Sequence, residues 1–169
     1  MQRQEYPDKA QFQRWNLVCN GGNDIEKQFS DWHKEHENFV VTQHSYECVN
    51  GIESLNITYF DLDIVEKDVD TEFRTPRNEF YFKKIVEDLE SGHSDKFSDW
   101  YDNNDIDIIS ASTKIDADNL KLVSGYVYVN RDEAKAAYDL KYERQQKQIQ
   151  KMSEELAKKQ IVKESSKKN

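Results

Sequence analysis

The string Phe-Ser-Asp-Trp occurs twice, at residues 29–32 and 97–100, and this repetition constrains the fold more than any other feature. Four matching residues alone are a weak signal, so the flanks carry the case. At the same ungapped offset of 68, Phe12 meets Phe80, Leu17 meets Ile85 and Val18 meets Val86. Downstream, Val40 and Val41 meet Ile108 and Ile109, Ile52 meets Leu120, Leu55 meets Val123 and Phe60 meets Tyr128. Apolar positions coincide where a core needs them, which is the mark of a duplicated folding unit. The pattern predicts one repeat over residues 1–66, an acidic linker over 67–74, a second repeat over 75–130, and a basic C-terminal segment over 131–169.

Local signals suggest what each repeat contains. Pro7-Asp8 opens a segment with Phe12, Trp15 and Cys19 at helical spacing, closed by Gly21-Gly22. Thr75-Pro76 opens its counterpart, in which Phe82, Ile85, Val86 and Leu89 follow i, i+3, i+4, i+7 up to Gly92. A second helix then carries the repeated string, with Asp24 as the cap of the first and Ile25, Phe29, Trp32 and His36 as its stripe. His93, Phe97, Trp100 and Asn104 form the counterpart stripe, and Trp32 and Trp100 are expected to be largely buried in equivalent cores. Two strands follow in each repeat. Residues 39–48 and 53–64 flank the tight-turn dipeptide Asn50-Gly51, and residues 106–115 and 121–130 flank Asp118-Asn119. The fold class that follows is α+β: two tandem helix–helix–hairpin repeats with antiparallel sheet, then a basic helix. Whether the hairpins join in one sheet or pack as two is left open by the sequence.

Residues 134–159 lack Gly and Pro and are rich in Ala, Lys, Glu and Gln, all good helix formers. Tyr138, Tyr142, Gln145, Ile149, Met152 and Leu156 step by four and three in alternation, the spacing of a coiled-coil seam. Tyr138, Tyr142, Ile149, Met152 and Leu156 are therefore candidates for self-association, giving a homodimer; a helix docked on the sheet is the competing reading. The last residues, from Lys163, read as frayed.

Charge divides with the architecture. Residues 1–133 carry 14 basic and 28 acidic side chains, whereas residues 134–169 carry 10 and 5. An acidic body disfavours nucleic acid, whose binding relies on Lys and Arg replacing condensed counterions, so only the C-terminal tail is left as a nucleic-acid contact. The densest acidic run, Asp61, Asp63, Glu66 and Asp68 onward, together with Tyr126, Tyr128, Tyr46 and Tyr59 as candidates for a half-exposed sheet face, suits a protein partner with a basic surface.

Chemistry-bearing constellations are sparse. His33, His36 and Glu37 share a helix face, but two imidazoles are only half of a zinc site. Asp61 and Asp63 at alternate strand positions fit a Mg²⁺-dependent hydrolase, yet no lysine or arginine follows at the spacing a nuclease strand uses. There is no Gly-rich phosphate loop and no nucleophile elbow, with five glycines in the whole chain. Cys19 and Cys48 form neither a disulfide framework nor a metal pair, and the N-terminus has no apolar leader, so a cytoplasmic location is expected. The resulting expectation is a non-enzymatic, acidic protein-binding module with no cofactor, metal or membrane contact. Its size and charge suit a phage or mobile-element product that modulates host nucleic-acid-handling or defence machinery. The alternatives are a nucleic-acid-associated regulator binding through the basic helix, and a metal-dependent hydrolase using Asp61 and Asp63.

Overall fold

The computed structural model describes residues 12–19, 24–91 and 95–168. Two three-stranded antiparallel sheets and a long C-terminal helix make up the fold. The first half runs β1 (Phe12–Cys19), α1 (Ile25–Glu35), β2 (Phe39–Val49) and β3 (Ile52–Asp61), with strand order β1-β3-β2. A short helix α2 (Leu62–Val65) and a 3₁₀ turn (Thr71–Phe73) lead into the second half. There β4 (Tyr81–Asp88), α3 (Lys96–Asp102), β5 (Ile106–Asp116) and β6 (Lys121–Asn130) repeat the topology, with order β4-β6-β5. Helix α4 (Arg131–Lys167) ends the chain.

Each half is thus strand–helix–hairpin, not helix–helix–hairpin. The first expected helix of each repeat is a strand, β1 or β4. Phe82 and Ile85, three residues apart, lie on opposite faces of β4, and both are buried because this strand is covered on both sides. Burial on two faces imitates helical spacing over so short a segment. In β1 the alternation is plain in the structure: Trp15, Leu17 and Cys19 turn inward, while Arg14, Asn16 and Val18 are exposed. Thr75-Pro76 starts no helix; the Thr75 N–H and hydroxyl both donate to Glu66 instead. Pro7-Asp8, Gly21-Gly22, Gly92 and His93 lie outside the described residues.

The two halves match element by element, but with slipping offsets. Phe39 and Ile106 both open their strand, and both edge strands bulge at the same place, between Val41 and Gln43 and between Ile108 and Ser110. Tyr59 therefore corresponds to Tyr128 in the ladders, one residue away from the ungapped alignment. The slip is absorbed by the hairpins: Asn50-Gly51, both at positive φ, makes a two-residue turn, whereas residues 117–120 make the second. The helix–strand contact is also repeated. Trp32 meets Tyr59 edge-on at 5.5 Å and 71°, and Trp100 meets Tyr128 at 5.1 Å and 74°. Asp24 caps α1 as expected, accepting from the N–H groups of Glu26 and Lys27. Both tryptophans are only half-buried; in α1 the fully buried positions are Ile25, Phe29 and His33.

The halves pack head to tail. The helix-bearing face of the first sheet, with α1, lies against the helix-free face of the second, where Phe82, Gly125 and Val127 sit. Gly125 is required there: a Cβ would stand 2.8 Å from the Tyr46 Cβ and 3.0 Å from the Phe82 ring. Edge strands are closed by side chains from the opposite half. Ser110 Oγ accepts from the His44 N–H at 3.2 Å, and Glu26 accepts from the Lys84 N–H at 2.8 Å. A buried polar link joins the same surfaces, with Glu53 Oε1 accepting from Tyr46 Oη at 2.5 Å and from Lys84 Nζ at 2.7 Å.

Helix α4 is longer than expected, and residues 163–167, read as frayed, are helical. Asn130 caps it, and Ala134, Ala137, Lys141, Arg144 and Gln148 form the half-buried side toward the body. Beyond Lys151 every described residue is exposed, so about 24 Å of helix projects from the body at ~1.5 Å per residue.

Candidate functional site

The expected acidic binding residues do not form one surface with the tyrosines. Asp61 ends β3 and caps α2, accepting from the Asp63 N–H at 2.8 Å and from Asn38 Nδ2 at 2.6 Å. Asp63 lies in α2, not at an alternate strand position, and pairs with Arg77 at 3.4 Å and Arg74 at 4.0 Å. Glu66 is occupied by Thr75, and Asp68 is exposed. The linker is matched by α4. Arg144 Nη1 donates to the Arg74 carbonyl at 2.6 Å, and Lys151 pairs with Glu72 at 3.3 Å while lying over the Phe73 ring. Acidic linker and basic helix thus neutralise each other across this contact.

His33 and His36 are both engaged internally. Buried His33 donates from Nε2 to the Phe39 carbonyl at 3.0 Å and accepts the Phe80 N–H at Nδ1, and burial lowers its pKa. His36 Nδ1 bonds the Trp32 carbonyl at 2.8 Å. Among the described residues no group of three His, Cys, Asp or Glu side chains is placed to hold a metal, and no helix is long and apolar enough to cross a membrane. Cys19 and Cys48 both lie across from Glu53 in the first sheet, and burial raises both thiols.

Tyr126 and Tyr128 lie on the helix-bearing face of the second sheet, beneath Phe97 and Trp100 of α3. This face is the counterpart of the one that the first half buries, so Tyr46 and Tyr59, expected on a half-exposed face, are buried instead. In β2, Val41 and Tyr46 are each 1% exposed, covered by the second sheet. Their ladder counterparts in β5 are Ile108 and Thr113, and with Ala111 and Ile115 they form a row on which none of the described residues is stacked. Ile115 is 66% exposed, whereas its counterpart Cys48 is half-buried. The other end of the stack is closed differently. The helix-free face of the first sheet carries Arg14, Asn16, Gln43, Ser45, Asn56 and Thr58, which line a shallow polar cleft. Asn56 stands where Gly125 stands in the second half, so the close approach that joins the halves cannot be repeated there.

A third surface runs along α4. Tyr138, Tyr142, Ile149, Met152 and Leu156 are 50–68% exposed, on a stripe rotated away from the docked side. No family model, curated protein sequence or solved structure matches the chain.

The residues the sequence reading missed are the β5 row and an arginine cluster beside the linker. The signal for the first is present in the sequence once the repeat is aligned strand by strand: Tyr46 opposes Thr113 in the alignment, and Asn56 opposes Gly125. Such large-to-small exchanges mark a stack whose two ends differ.

Proposed function

We propose that the chain is a non-enzymatic protein-binding module whose partner docks on the helix-bearing face of the second half, over Ile108, Ala111, Thr113 and Ile115. The observation that carries this reading is the β5 row, left uncovered by the described residues, whose counterpart in β2 is buried by a packed sheet. An equivalent face already has a protein layer stacked on it inside the molecule. Asp99 and Asp102 are exposed on α3 beside this face, so the partner is a protein with an apolar centre and a cationic rim. Nucleic-acid-handling proteins offer such surfaces. The test is an Ile115→Glu variant used as bait beside the wild type. Because Ile115 is already largely exposed, melting should stay within a degree or two, while capture of a basic partner is lost. An unchanged capture profile would remove this face from consideration.

The exposed seam of α4 supports a second contact, with another copy of the chain. An isolated narrow stripe at heptad spacing suits one partner helix. Light scattering at micromolar concentration should give a dimer mass that falls to the monomer mass in Ile149→Glu/Leu156→Glu. A monomeric wild type would leave the stripe unpaired.

A further inference from the structure

Three of the six arginines in the sequence, Arg74, Arg77 and Arg144, converge on one cleft of about 440 Å³ between the linker and α4. In a chain of net charge −9 this is an unusual concentration of guanidinium groups. Their geometry is set by backbone tethers. Arg74 donates from Nε to the Val69 carbonyl at 3.0 Å, and Arg144 donates from Nη1 to the Arg74 carbonyl at 2.6 Å. Each tether uses one N–H and leaves the remaining donors of a rigid fork available to a ligand. Two carboxylates line the cleft. Glu66 is committed to Thr75 through both oxygens. Asp63 stands 3.4 Å from Arg77 and 4.0 Å from Arg74, well beyond the ~2.7–2.9 Å of a close charge-assisted bond. The lining therefore carries a formal charge of +1, with one carboxylate held loosely between two arginines.

We infer that this cleft binds a phosphate group, free or as the monoester of a small organic molecule. A phosphate offers three strong acceptor oxygens and nearly two negative charges, matching two or three converging guanidinium forks. Leu62, Pro76 and Leu140 in the wall give an apolar surface for the organic part of a monoester. Asp63 is the internal competitor: an arriving phosphate takes its place between Arg74 and Arg77. The site stands apart from the β5 face and does not depend on the protein partner argued for there.

The experiment is calorimetric titration of the full chain with inorganic phosphate and with phenyl phosphate, at a pH above the second phosphate pKa of ~6 and at matched ionic strength. Saturable one-site binding is expected for both, tighter for phenyl phosphate if the apolar wall is used and equal if only the phosphate is recognised. Arg77→Gln, at an exposed position, should weaken binding by about tenfold, the worth of one charge-assisted pair. Asp63→Asn should strengthen it by removing the competitor. Absence of saturable binding for either ligand, or wild-type affinity in both variants, overturns the assignment. Circular dichroism of the two variants confirms that each is folded before it is titrated.

Discussion

Lys84→Met is expected to destabilise the protein by about 3 kcal/mol, because it strands the Glu53 carboxylate between the two halves. Glu53 is 8% exposed, and its Oε1 accepts from both Lys84 Nζ and Tyr46 Oη. Taking Lys84 away removes the cation but leaves the carboxylate desolvated, and a broken buried pair commonly costs ~3–5 kcal/mol. The lower end applies because the Lys84 side chain is 35% exposed, which lets water screen the pair. Burial pulls the Lys84 pKa down, but the hydrogen bond and charge of Glu53, with Glu26, outweigh it, and the net shift is upward. The ammonium is therefore kept charged against its partner. Glu53→Gln/Lys84→Met should recover most of the loss, since an amide oxygen still accepts from Tyr46 without a buried charge. Urea unfolding of the four members of this double-mutant cycle gives the answer directly. A Lys84→Met midpoint equal to wild type would mean that Glu53 finds water or another cation, and the link would not hold the halves together.

That link was invisible in the sequence for a definite reason. Tyr46, Glu53 and Lys84 come from three strands of two sheets, and only face-to-face packing brings them into contact. What lay within one element was legible: the Asp24 cap, the Asn50-Gly51 turn, the hairpin strands and the Phe-Ser-Asp-Trp helices all rest on neighbours in the chain. The equivalence of the halves was also legible, because core positions repeat. In β1 the helical spacing of Phe12, Trp15 and Cys19 was coincidental, since Phe12 lies on the face opposite Trp15 and is 37% exposed; in β4 burial on two faces was the cause. Phe82 and Ile85 are covered from opposite sides, and a strand buried twice carries no alternation to betray it. The acidic run was legible as charge but not as structure. Its carboxylates are distributed among a helix cap, a threonine and the basic helix α4, partners that lie 9 to 79 residues away in sequence for Glu66 and Glu72. The arginine cleft depends on the same long-range closure, since Arg144 meets Arg74 across 70 residues.

Lowering the pH from about 7 toward 4 should destabilise the protein substantially, with His44 as a leading cause. The His44 ring sits between the sheets, with Ser110 Oγ at 2.7 Å from Nδ1 and Ser112 Oγ at 2.9 Å from Nε2. Burial there drives its pKa from 6.5 down to about 4, opposed only by a backbone hydrogen bond at Gly125. Between these values the unfolded chain binds a proton that the folded chain refuses. Stability from this group is therefore complete above pH 6.5 and is lost progressively as the pH falls to about 4. At ~1.36 kcal/mol for each pKa unit the loss is about 3 kcal/mol, a large share of the ~5–15 kcal/mol typical of a domain. His33 adds to it with the same sign, since burial lowers its pKa too. His44→Gln keeps hydrogen-bonding groups beside both serines but cannot take up the proton. The informative quantity is the change with pH, not the stability at neutral pH: between about pH 7 and pH 5 the variant should lose clearly less than wild type. Equal losses in the two proteins would place the acid sensitivity in other groups and remove His44 from the account.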